Sequence, residues 1–426
     1  MKSKQTLVCG TRNLCFALAA IFALAFIACD DGSGDDKTGG KKFTVTFDSN
    51  GGSDVSSQTV AEGGKATKPA DPTKAFTLTA GLYEGTPPTH CTFAGWQKGG
   101  AAYDFNTPVT ANITLTATWP VPSINLLTRD EANIIAKSVA YINADDSGAT
   151  EYTLALDADV ENVATIIHDK DGVTLTVTSV DTTKRTISKG TENGTVFTVG
   201  GADTSNPSSA KLVIDGNITL QGKAVNNTYL VNVQYGGRLE LKGSAKITGN
   251  ANTTATPNGG GGGVYAQGNQ GNPVTITMSD NAEISNNTAA IASNAQGGGV
   301  KLYGFANFTM SDNAAIKNNT SSGATGSEGG GVYIGASNSF TMNGGEISGN
   351  SATNTGSSGS TRGGGVYIGY NSDSTTQFIV ASEAVKANIK DNTAARTGDG
   401  TNGQGPQVYK NGSTIFKVGG VDASTF

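Results

Sequence analysis

Apolar and polar residues alternate in short bursts along most of this chain. Phe43, Val45 and Phe47 alternate with Thr44 and Thr46, and Ile113, Leu115 and Ala117 alternate again before Trp119. A period of two is that of a half-buried strand. Asp48-Ser49-Asn50-Gly51-Gly52 follows the first burst as a turn. One stretch has a different period. Thr128-x-x-Glu131 fits a capping box, and Ile134, Ile135, Val139 and Ile142 follow at helical spacing, which predicts a helix.

From about residue 211 the pattern repeats. Gly261-Gly262-Gly263-Val264-Tyr265 returns at Gly297–Tyr303, Gly329–Ile334 and Gly363–Ile368, and in decayed form at Gly405-Pro406-Gln407-Val408-Tyr409. After the first four copies come Ile276-Thr277-Met278, Phe308-Thr309-Met310, Phe340-Thr341-Met342 and Phe378-Ile379-Val380. A third element ends in Ile247, Ile284, Ile316, Ile347 and Ile389, each followed three residues on by Asn250, Asn287, Asn319, Asn350 and Asn392. A unit of roughly 34 residues with three short strands cannot bury its own apolar face, but stacked on its neighbours it can. Alternation puts Val, Ile, Leu, Phe and Met inside and leaves Tyr265 and Thr277 outside. Equivalent residues then sit about 4.8 Å apart, and the asparagines form a ladder. This predicts an all-β chain: a right-handed parallel β-helix of roughly eight coils, with the helix as its N-terminal cap. The polar stretches between ladder asparagine and next glycine corner, such as SSGATGSE, are expected to project from one edge without packing.

Composition supports this picture. Glycine makes up 59 of 426 residues, about twice the usual share. Glycine destabilises helix interiors by about 1 kcal/mol each, but it suits corners that cannot accommodate a Cβ. Net charge of −6 argues against a nucleic-acid partner. The first residues differ from the rest. Lys2, Lys4 and Arg12 precede an apolar run from Leu14 to Ala28, read as a signal segment too short to span comfortably. Cys29 and a polar tether follow. This pattern resembles a bacterial lipoprotein cleavage site in its relaxed form, with Phe26 three residues before the cysteine. The resemblance implies cleavage before Cys29, its acylation, and a membrane partner through that lipid, at about 0.8 kcal/mol per buried methylene. Cys91 would then be the one remaining free thiol.

Two further resemblances carry functional expectations. FTVTFDSNGG, KPADPTK, TFAGW and ITLTATW, in that order over residues 43–119, resemble the internalin B-repeat, or Listeria–Bacteroides repeat, which implies a compact β-grasp-like module of bacterial surface proteins. Residues 75–91 form a longer connection than that family uses. The run from GGGVYI to FTMNGGEISGN resembles the glycine-rich repeats of polymorphic outer-membrane proteins and spirochaetal β-helix surface proteins. No barrel is expected after residue 420, the lipid at Cys29 serving as anchor instead. The expected organisation is a signal peptide at 1–28, a tether at 29–42, the B-repeat domain at 43–119, a linker at 120–127 and the β-helix at 128–426.

Enzymes on β-helices need paired acids, or carboxylates clustered with a metal or base. No such cluster is singled out, so no catalytic residue, metal ligand or cofactor is expected. Asp280, Asp312 and Asp391 sit beside repeat turns, and His168-Asp169-Lys170-Asp171-Gly172 reads as a turn. Trp96 and Trp119 read as core anchors of the small domain. The candidate binding residues are the outward tyrosines Tyr265, Tyr303, Tyr333, Tyr367 and Tyr409, a stripe that could stack on sugars or a protein, or simply stabilise the coil. The expected function is a lipid-anchored, outer-membrane surface protein for adhesion to a host protein or glycan. The alternatives are a polysaccharide lyase or hydrolase and a purely structural envelope protein.

Overall fold

The computed structural model describes residues 40–75, 90–91, 93–119, 124–127, 134–144, 150–253, 260–369, 375–397, 403–423 and 426. The signal segment, Cys29, the tether up to residue 39, most of the 75–91 connection, residues 120–123 of the expected 120–127 linker and the capping-box residues Thr128 and Glu131 lie outside the described residues, while the rest of that linker, Ile124–Leu127, is a strand paired parallel with Glu151–Leu156 at the start of the β-helix.

The small N-terminal unit is a mixed sheet built around Lys42–Asp48. That strand pairs antiparallel with Gln58–Ala61 and parallel with Ile113–Thr118, which pairs antiparallel with Gly95–Lys98. The alternation of Phe43, Val45 and Phe47 turns all three into the core with Leu115, Ala117 and both tryptophans. Trp96 meets the Phe47 ring edge-on at 4.9 Å. The Trp119 indole N–H donates to the Ser49 carbonyl at 2.8 Å. A Cβ on Gly52 would stand 2.5 Å from the Trp119 ring, so the turn after the first strand is fitted to that side chain.

The rest is a parallel β-helix. Three principal sheets run along it, here named for their inward residues. The valine sheet aligns Val264, Val300, Val332, Val366 and Val408. The phenylalanine sheet aligns Phe308, Phe340, Phe378 and Phe416, whose rings stack at 4.5, 4.9 and 5.5 Å. The isoleucine sheet aligns Ile247, Ile284, Ile316, Ile347 and Ile389. One continuous core results. The helix Ile134–Ala144 buries Ile135, Val139 and Ile142 in its first coils, as the helical spacing predicts. His168 ends a strand of the valine sheet, with its turn following at Asp171-Gly172. It points inward opposite Val199 and is fully buried, with Nε2 3.1 Å from the Val173 carbonyl.

The ladder forms as its spacing predicts. Asn287 donates its side-chain amide to the Ile247 carbonyl at 3.0 Å and to Asn319 Oδ1 at 3.2 Å, and that same oxygen takes the Asn287 backbone N–H. The pattern repeats at Asn319 and Asn350. Asn226 extends it at one end and Gln407 receives it at the other. Each glycine of a triplet has a separate reason. The first has φ near +65°: Gly297 and Gly329 at +66°, Gly363 at +62°. The second lies where the next turn leaves: a Cβ on Gly330 would stand 2.4 Å from the Gly364 carbonyl oxygen and from Ser351 backbone atoms. The third leaves room for the ladder: a Cβ on Gly299 would stand 2.9 Å from the Asn319 amide.

One expectation fails. The polar stretches after the asparagines do not project unpacked. They form two more parallel sheets: one from Ala251–Asn252 to Thr393–Arg396, the other of Asn294–Gln296, Gly326–Glu328 and Ser360–Arg362. Together they make a thin arm along the rod. Apart from Ile291, its interior is small and polar: Ala289, Ala295, Ser321 and Ser327 are fully buried, and the hydroxyls of Ser321 and Ser327 meet at 2.6 Å. Small side chains let two layers close, and hydroxyl pairs replace apolar packing.

Two predictions follow from this packing. Gly330→Ala should destabilise the protein by about 3 kcal/mol in denaturant unfolding, since backbone rather than a movable side chain stands in the way, whereas Gly40→Ala, with open space around it, should not. Burial pushes the His168 imidazole below its ordinary value, outweighing the carbonyl contact at Val173. Its contribution to stability is therefore present above the unfolded value of about 6.5 and lost as pH falls below it. His168→Leu should flatten the acid limb of a melting-temperature profile.

Candidate binding surface

The valine-sheet strands that point Val inward turn the next residue out, and this sets Tyr265, Lys301, Tyr333, Tyr367 and Tyr409 in one register. Their rings stack on one another. Tyr229 and Tyr265 lie 4.7 Å apart at 7°, Tyr333 and Tyr367 5.3 Å apart at 15°, and Tyr367 and Tyr409 5.7 Å apart at 1°. Near-parallel rings at about the strand spacing turn their faces toward each other along the rod. Tyr303 stacks on Tyr265 at 6.3 Å. Where Lys301 interrupts the stripe, its ammonium lies 5.9, 5.5 and 5.8 Å from the ring centres of Tyr265, Tyr303 and Tyr333 and fills the gap.

The arm closes over this stripe. Gln296, Glu328 and Arg362 share a register on its second sheet. Glu328 accepts from Asn294 Nδ2 at 3.0 Å and Gln296 Nε2 at 2.9 Å. The Arg362 guanidinium lies over the Tyr409 ring at 5.1 Å and 4.0 Å from Glu328. Lys301 is 1% exposed and Tyr367 4%. Burial draws the Lys301 ammonium down to about 8, the Glu328 charge opposing.

This favours, of the two sequence readings of the stripe, the ladder that stabilises the coil. Of the five candidate tyrosines, four spend their ring faces on stacking beneath or beside the arm, and Tyr303 alone among them is exposed, at 44%. The stripe is an interior seam rather than a stacking surface for a ligand. The residues that close it were missed, yet a signal existed: Gln296, Glu328, Arg362 and Gln404 each immediately precede a glycine corner. Asp280, Asp312 and Asp391 are exposed at corners with φ of 55–56°, and Asp280 accepts the Gly243 N–H at 2.8 Å, so they serve the turns. Cys29 lies outside the described residues.

Comparison with known proteins bears on the small unit. Residues 43–76 and 84–118 match the family model of the Listeria-Bacteroides repeat domain, with the interruption inside the long 75–91 connection. No curated protein matches the chain, and no solved structure does.

The seam makes a prediction in alkali. Burial, with the Glu328 charge, pushes the Tyr367 hydroxyl up to about 12, and burial raises Tyr265 and Tyr333 as well. The stability these neutral tyrosines contribute is complete below pH 10 and lost as pH rises through 12. Absorbance at 295 nm should show exposed tyrosines ionising near pH 10 and the seam tyrosines ionising later, together with loss of the far-ultraviolet β signal.

Proposed function

We propose that this is a non-enzymatic, lipid-anchored protein of the bacterial cell surface, which holds a β-helix rod away from the membrane for adhesion to a protein or glycan. The observation that carries the reading is the order of parts. A lipoprotein-like cysteine and polar tether lead into a Listeria-Bacteroides repeat domain, a module found in extracellular and surface proteins, and the rod follows. The GGGVYI and FTMN motifs, resembling polymorphic outer-membrane proteins, support an outer-membrane location. The arrangement of carboxylates also favours a binding role over polysaccharide cleavage. Glu283 is held between Lys246 and Lys317 at 2.8 and 2.7 Å, and Glu328 is tied into the seam. Both are thereby committed to cations and amides of the rod, whereas glycoside hydrolysis needs two acids facing one substrate.

The test combines fatty-acid labelling with protease treatment of whole cells. Wild-type protein should take up label and be cleaved on intact cells, and Cys29→Ala should lose both the label and the membrane fraction. Protection in intact cells with cleavage only after lysis would overturn surface display. Release of oligosaccharides from acidic polysaccharides by the purified chain, with or without calcium, would favour the lyase or hydrolase instead.

A further inference from the structure

The one exposed tyrosine of the stripe does not stand alone. Tyr303 and Phe305, 44% and 37% exposed, flank Gly304 at the corner between the valine and phenylalanine sheets. The corner is tight, with three residues between the strands Val300–Leu302 and Ala306–Met310. Phe305 has φ of +52°, a conformation that bulky side chains avoid. The corresponding corner position holds Pro273 one strand before and Ser337 one strand after, as the bonds from Val274 N–H to the Phe305 carbonyl and from Phe305 N–H to the Ser337 carbonyl show. Ser337 shares the conformation, with φ of +61°, so the corner sets the backbone, and Phe305 is distinguished by the exposed aromatic ring it places there. Strain of this kind is kept where a side chain has a use.

Pro273 is exposed beside Phe305, so one apolar strip runs Pro273, Phe305, Tyr303. One strand beyond Tyr303 stands Gly335, which has no side chain to cover the ring. On the other side of Pro273 opens a polar cleft of about 380 Å³, lined by Asp171, Ser208, Ser209, Arg238, Asn272 and Pro273 among others. In it Arg238 is exposed, and its guanidinium makes no ion pair or side-chain hydrogen bond among the described residues. Asp171, a carboxylate lining the same cleft, is already engaged: its Oδ1 takes the Ser209 N–H at 2.8 Å and the Ser209 hydroxyl at 2.7 Å. Arg238 shares its register with Thr275 and Asn307, which places it two strands, roughly 10 Å, along the rod from the Phe305 coil.

We propose that this corner is a binding site for an acidic saccharide. Pro273, Phe305 and Tyr303 take the C–H faces of successive sugar rings. Arg238 takes a carboxylate or sulfate, and Asn272 and Asn307, one and two strands further along the rod, offer amides to the hydroxyls. A sugar chain presents this alternation of apolar faces and polar edges; a protein partner would call for a broader dry patch than three separated rings. The inference deepens the glycan-contact reading above and rests on it.

The test passes the full chain over immobilised polygalacturonate, dextran sulfate and neutral dextran. Wild type should be retained on one or both acidic polymers and not on dextran; which one retains it tells carboxylate from sulfate. Phe305→Gly removes the ring and relieves the backbone, so it should weaken retention at least tenfold while leaving the melting temperature equal or higher. Tyr303→Ala should weaken it similarly, and Arg238→Ala should abolish the preference for acidic polymer. Retention unchanged in Phe305→Gly and Arg238→Ala, equal retention on dextran, or no retention on any of the three would overturn the proposal. Any of these results, with surface cleavage and labelling intact, leaves the surface reading standing and removes this site alone.

Discussion

The asparagine ladder is the constraint on which the rest of the rod depends. Each buried amide works in several directions at once. In the middle of the rod, one oxygen accepts from the preceding coil's asparagine side chain and backbone, while the nitrogen donates to an isoleucine carbonyl and to the next asparagine. Removing one would leave buried donors and acceptors unpaired, which costs more than the net worth of the bond. The ladder therefore fixes the height at which each coil must return. It also explains why the third glycine of each triplet carries no side chain, since a Cβ there would meet the asparagine amide. The arm leaves the coil at the residue after each asparagine, so a stretch of serine and threonine that could not find its own register receives one from the ladder.

The principal sheets were legible in the sequence because their signals are redundant. Val332, Phe340 and Ile347 alternate with polar residues, and each has partners at the same place in other copies. The arm was not legible, for a physical reason. Ser321 and Ser327 are buried through hydroxyl pairing, and Gly323 and Gly326 lie in strands; no apolar period marks such segments, and they read as loops. That the tyrosines stood between two readings in the sequence has the same cause. Alternation correctly turned Tyr333 and Tyr367 out of the core, but it could not say that a second layer would cover them. Phe305 was passed over because a single aromatic in a corner belongs to no repeat.

The seam between arm and body is built differently from the core. The core is mainly aliphatic and aromatic, with the asparagine ladder and His168 as polar members, whereas the seam mixes tyrosine rings, one ammonium, one carboxylate and one guanidinium. Its charges are few and each has an aromatic or amide neighbour, which offsets part of the cost of taking them from water. Gly297, Gly329 and Gly363 turn the chain sharply, and the residue just before a corner reaches the tyrosine of the following coil, as Arg362 reaches Tyr409. One glycine corner thus serves two layers.

The arms differ in length while the ladder does not. Nine residues separate asparagine from glycine corner in two coils and twelve in the next two, yet Asn319, Asn350 and Asn392 stay in register. The added residues lie at the tip of the arm, where the turn 324–325 becomes 355–359 between strands of the same length, and lengthening that turn costs only the slow growth of loop-closure entropy, a fraction of a kcal/mol for a few residues, whereas one residue added to a principal strand would turn its valine or phenylalanine out of the core. Heritable change in this protein thus has one outlet. Heritable insertions at that tip can alter what the molecule presents there, generation after generation, without altering how it folds.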